Sequence, residues 1–237
     1  MSLISPILAP LKGLQLCLFD SEVRKAATLP WIAGALVSVV TSGLLIYFFP
    51  HIIGYASNHV GGSISILSQA FAWIASFFVS ILAAALVTMV VVLVLCSFYH
   101  YRIAQIVLSK RGLQLRELTA LKEIGRSSIT EILKLLWLIP LYIIVFLFGL
   151  IPIFTPFAFI GWGVLAAYQF LDYPLDTLHY GAFRRFGFVI KHLFSATLFG
   201  VTLVLLSGIP FVIFFITPVA VAGASWLIVE MGWAKAK

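Results

Sequence analysis

The densest polar run in this chain is Asp20-Ser21-Glu22-Val23-Arg24-Lys25, which ends where a long uncharged tract begins. Asp20 or Ser21 suits the N-cap of a helix starting there, because a short side-chain oxygen accepts from the amides of the first turn. Arg24 and Lys25 add two full charges to the positive end of that helix. Amides and cations together suit an oxyanion. The same two cations equally suit lipid headgroups at a membrane edge, where they would only fix orientation.

The second candidate is the carboxylate pair of Asp172-Tyr173-Pro174-Leu175-Asp176. Pro174 is expected to prevent a regular helix there. The two acids then serve as turn caps, as partners for the cations Arg184 and Arg185, or as an ion site. No Gly-rich phosphate loop, His-Glu-x-x-His or Gly-x-Ser-x-Gly run is present, so no enzyme is expected. No cofactor or metal is expected either. Cys17 and Cys96 match no metal or redox spacing and read as small apolar fillers. His51, His59 and His100 fall near expected membrane interfaces, where a hydrogen-bonded imidazole is the plain reading.

What must position these residues is set by composition. Of the 237 residues, 62% are hydrophobic and 10% charged, whereas a soluble domain carries about 25% charged residues. No Lys, Arg, Asp or Glu lies in 26–101, 135–171 or 193–229. The solvent for most of this chain is therefore lipid, and the protein is an integral, all-α membrane protein. The N-terminal stretch lacks a basic region before its apolar part and is not expected to be cleaved.

The first tract fits two long helices. One covers 28–49, closes at Pro50 and is followed by a loop over 51–62. The other covers 63–101, would be about 58 Å long as one helix, and so leaves the bilayer into an adjoining layer. The two later tracts, 135–171 and 193–229, are interrupted by Gly149, Pro152 and Pro156 in one and by Gly208 and Pro210 in the other. Their arms, 135–148 and 157–171 in the first, are then shorter than the hydrocarbon thickness, and their turns are apolar. Two partially penetrating helical hairpins follow, with turns shielded by protein; four complete but short spans are the alternative.

Every Lys and Arg falls in 1–25, 102–134, 172–192 or 230–237, and all four lie on one face, which the positive-inside rule makes cytoplasmic. The net charge of +7 is an orientation signal, and no nucleic-acid partner is expected. Within 102–134, Leu121, Ile124, Ser128, Ile132 and Leu135 or Leu136 share one helical face, with Lys122, Glu123, Arg126, Glu131 and Lys134 mostly elsewhere. This is an amphipathic interfacial helix, and Ser128 with Glu131 marks its start or a fresh turn. In the interfacial segment 1–25, Ile7, Leu8, Leu11, Leu14 and Leu18 form a similar face, with Lys12 and Gln15 off it. The whole reads as a single membrane domain, 1–237.

Three stretches, Arg24-Lys25-Ala26-Ala27-Thr28-Leu29-Pro30, Gln169-Phe170-Leu171-Asp172-Tyr173-Pro174-Leu175-Asp176 and Ile216-Thr217-Pro218-Val219-Ala220-Val221-Ala222-Gly223-Ala224, resemble the CysZ family of bacterial sulfate permeases. That family shares a domain with etoposide-induced ER membrane proteins. The resemblance implies a multi-pass protein of the bacterial inner membrane that takes up sulfate for sulfur assimilation and cysteine biosynthesis. It also implies two long spanning helices, two partially penetrating hairpins and a homo-oligomer. Sulfate would bind near a Gly-hydrophobic-Arg-Arg motif whose matching positions here are Glu22, Val23, Arg24 and Lys25. Glu22 stands in place of the glycine and Lys25 in place of the second arginine. A non-transporting membrane scaffold or lipid-interacting protein with the same domain is the alternative.

Overall fold

The computed structural model describes residues 4–59, 73–74, 91, 93–113, 115, 120–208 and 212–234, and every regular element among them is helical. In chain order these are α1 (Ile4–Phe19), α2 (Ser21–His59), α3 (Ser97–Ser109), α4 (Ala120–Gly149), a 3-10 turn (Pro152–Phe154), α5 (Thr155–Thr177), α6 (Ala182–Lys191), α7 (Leu193–Ser207) and α8 (Val212–Glu230). The stretches Ser21–Thr41, Gly125–Gly149 and Pro152–Thr177 are each long and apolar enough to cross a bilayer. The chain is an all-α membrane protein.

Two compact units make up the chain, Ile32–Val92 on the one hand and Met1–Trp31 with Leu93–Lys237 on the other. In the larger unit α1 packs on α8 and α5 on α7, while α3 touches α4, α5 and α8. Both main pairings are made at glycine. A Cβ on Gly200 would overlap the Gly163 carbonyl, and one on Gly13 would overlap the Val219 carbonyl next to Gly223. Helices in lipid gain nothing by hiding apolar surface from apolar solvent, so close backbone approach through small residues is what joins them.

The apolar face read on α1 points away from the protein, as an interfacial helix requires, and on α4 Ile132 and Leu136 of the face read are exposed while Leu135 is buried. In α1 the buried residues are Ser5, Pro6, Ala9, Pro10, Gly13 and Cys17, whereas Ile7, Leu8, Leu11, Leu14 and Leu18 are exposed. In α4, Ser127, Glu131, Lys134, Leu135 and Leu138 are buried, whereas Ile129, Ile132, Leu133, Leu136 and Trp137 are exposed. Water would reverse this arrangement; hydrocarbon does not. Ser128 lies inside α4, which starts upstream at Ala120, so the spacing with Glu131 marks a turn within the helix.

Several expected boundaries shift. The backbone of α2 runs through Pro50 to His59, across most of the expected 51–62 loop, because a proline removes one hydrogen bond without obliging a membrane helix to stop. Most of the expected 63–101 helix lies outside the described residues. At its far end Cys96 forms a turn (φ −97°, ψ 4°), and α3 carries the chain past Tyr101 to Ser109. The arms of the first hairpin are longer than expected: α4 has 30 residues and α5 has 23, or about 45 and 35 Å. Charged residues do not end α4, because Glu131 and Lys134 neutralise each other inside the protein. Nor does Pro174 break α5, which continues to Thr177, whose hydroxyl donates to the Pro174 carbonyl at 2.8 Å.

The connection between α4 and α5 is apolar, as read, and Ile153 is 75% exposed in the single chain. In the second hairpin, turn residues Ile209, Pro210 and Phe211 lie outside the described residues. Between α6 and α7 the chain bends by 93°.

Candidate functional site

Two polar constellations lie in the larger unit. The first is built on the start of α2. Asp20 supplies the cap, its Oδ1 accepting from the Glu22 amide at 3.1 Å and the Val23 amide at 3.3 Å. Lys110, one residue beyond α3 where the chain turns at Gly112 (φ 72°), closes onto this cap. Its Nζ lies 2.7 Å from both Asp20 carboxylate oxygens and 3.1 Å from Glu22 Oε2. The hydrogen bond from Lys110 is the main reason that the Asp20 carboxyl titrates below the ordinary carboxylate range. Two of the first free amides of α2 are thereby answered from within the chain.

Around this cap the sequence-derived residues separate. Val23 is fully buried, and Glu22 is exposed and paired with Lys110. Arg24 and Lys25 are both exposed; Arg24 Nη1 donates to the Leu18 carbonyl at 3.2 Å. Counting Asp20, Glu22, Arg24, Lys25 and Lys110, the cluster keeps one net positive charge. The cations sit beside the helix end, and the helix end itself is capped.

The second constellation joins α4, α5 and α6. Arg126 Nη2 donates to Asp176 Oδ1 at 2.6 Å. Arg185 Nη1 lies 3.0 Å from Asp172 Oδ1 and 3.5 Å from Asp176 Oδ1. Lys134 Nζ lies 2.8 Å from Glu131 Oε2 and 3.5 Å from Asp172 Oδ2, and 4.1 Å from the centre of the Tyr173 ring. Gln169 Nε2 donates to Glu131 Oε1 at 2.7 Å. On the α3 side, the rings of His100 and Tyr101 pack edgewise on Tyr173, 5.3 and 5.0 Å between centroids.

Arg126, Lys134 and Arg185 balance Glu131, Asp172 and Asp176, and the formal charges sum to zero. A lone charge in such an interior is costly, and a paired, hydrogen-bonded set is tolerated. Each acid is answered by a cation, and among the described residues no three His, Cys, Asp or Glu side chains converge as a metal site.

Asp172 and Asp176 are thus partners of Arg185, one of the two cations read for them. Arg184 is exposed and makes no ion pair among the described residues. Sequence reasoning missed Glu131, Lys134, Arg126 and Gln169 as members of this network. For Gln169 the signal was present: Gln169, Asp172, Tyr173 and Asp176 recur at offsets of three, four and seven, which is one helical face once Pro174 is allowed inside a helix.

The family model described as sulfate transporter CysZ/etoposide-induced protein 2.4 covers residues 9–218. A search of curated proteins found no match.

Proposed function

Because the chain belongs to the sulfate transporter CysZ/etoposide-induced protein 2.4 family, we propose that it carries an oxyanion, sulfate first among them, across a bacterial inner membrane to supply sulfur assimilation and cysteine biosynthesis. The observation that carries this reading beyond family membership is the exposed Arg24–Lys25 pair at the start of a membrane-crossing helix. Asp20 already engages the amides of Glu22 and Val23, so the anion is held by side chains. Arg24 offers a two-donor fork matched to an oxyanion, and Lys25 adds a point charge. Lys110 offsets Asp20 and Glu22, which would otherwise repel the anion.

In this reading all cationic segments lie on the cytoplasmic face, and the two hairpins return to it. The exposed apolar connection around Ile153 is covered by a second copy of the chain, which makes the protein a homo-oligomer. The test is flux. In liposomes, Arg24→Ala should lower radiolabelled sulfate uptake at least about tenfold, as expected from the ~1.5–3 kcal/mol of a hydrogen bond to a charged group. Unchanged uptake would remove Arg24 from the anion path.

One observation favours a second reading, a non-transporting scaffold: the Glu22 and Val23 amides at the α2 cap already donate to Asp20, and Lys110 neutralises that carboxylate. Thermal-shift titration with sulfate, sulfite, phosphate and chloride separates the two. A shift specific to sulfate or sulfite supports transport, and no shift with any of the four supports the scaffold.

A further inference from the structure

Helix α6 carries Arg184, Arg185 and Lys191 and no acid. Its buried face is Arg185, Phe188 and Val189. Its other face exposes Phe183, 95% accessible, with Phe186 and Ile190 at helical spacing. Arg184 and Lys191 are exposed, near the two ends of that apolar face. Beyond His192 the chain turns by 93° into α7, whose first residues Leu193 and Phe194 are also exposed. An apolar face bounded by two cations, on a short helix bent sharply from an apolar one, has the charge and shape of an interfacial helix.

We propose that α6 binds anionic phospholipid: its aromatic face enters the acyl boundary, and Arg184 and Lys191 hold the headgroup phosphates. The neighbouring Arg185 faces the other way, 3.0 Å from Asp172, and so does not reach the lipid. Charge selects this occupant. Two accessible cations without acids on the same helix favour an anionic over a zwitterionic headgroup, and at about 1 kcal/mol per cation the preference is about 30-fold. The inference goes beyond the transport reading and does not depend on flux.

Trp137 gives a native reporter, since its ring lies 6.2 Å from Phe186 and it is 54% exposed. The full-length protein is placed in phosphatidylcholine bilayers doped with a brominated lipid, either phosphatidylglycerol or phosphatidylcholine. Quenching lost in Trp137→Phe isolates this site. The wild type should be quenched more strongly by brominated phosphatidylglycerol at equal dose, and Arg184→Gln with Lys191→Gln should abolish that preference. Arg184→Lys with Lys191→Arg keeps both charges and should retain it. Equal quenching by both lipids in the wild type, or a preference undiminished in the glutamine variant, would overturn the proposal.

Discussion

Arg185 shows how little freedom the buried charges have. It is the cation nearest Asp172 and lies within 3.5 Å of Asp176 as well. Removing one partner of a buried pair costs about 3–5 kcal/mol, because the other is left uncompensated. Arg185→Met should therefore lower the thermal midpoint strongly in detergent, and adding Asp172→Asn should recover much of the loss. A single variant as stable as wild type would mean that water reaches the network.

Asp20 behaves differently because it is accessible. Its carboxyl is held below its ordinary value by Lys110, so the contribution is present at neutral pH and fades as pH falls through the folded-state value, below about 4. Asp20→Asn should be less stable than wild type at pH 7, with the gap closing on acidification. A gap that widens in acid would reverse the assignment. The Asp20 cap was legible because capping is local. Glu131, Lys134 and Arg126 were not, because polar residues on a helix normally mean solvent, and here they mean neighbours.

At the scale of elements, apolar stretches announced helices among the described residues, and the outward apolar stripe read for α1 is the one the structure shows. The stripe of Ile7, Leu11, Leu14 and Leu18 is exposed while Ala9 and Gly13 are buried, since the outer solvent is itself apolar. Small residues at close helix crossings were the readable mark of the interior. Gly200 offers the test: a side chain there meets the backbone at Gly163 and Ala167. Gly200→Leu should destabilise by at least the ~1–3 kcal/mol of an overpacked core, while Gly187→Ala in α6, where nothing lies within 4 Å of the added carbon, should be near neutral. Equal melting of the two variants would mean that α5 and α7 are not in contact.

For the whole molecule, composition fixed the membrane class. Helix boundaries were less legible, because proline and charge, the usual stop signals, are both absorbed inside α4 and α5. The topology proposal is tested from outside. A cysteine at Ile153 should resist a membrane-impermeant thiol reagent from both sides in the assembled protein, and labelling from the external side would convert the first hairpin into two spans.

The cancellation of charge among α4, α5 and α6 bears on biogenesis. Arg126, Glu131 and Lys134 leave α4 with one surplus positive charge in the network, and Asp172 with Asp176 leave α5 with two negatives. Neither segment has its charges answered alone, so each helix is stable at the membrane boundary only once it has packed on the other. That pair still lacks one cation until the ribosome has made α6. A nascent chain truncated after Thr177 should remain with insertion factors or be degraded, and adding Ala182–Lys191 should let it integrate.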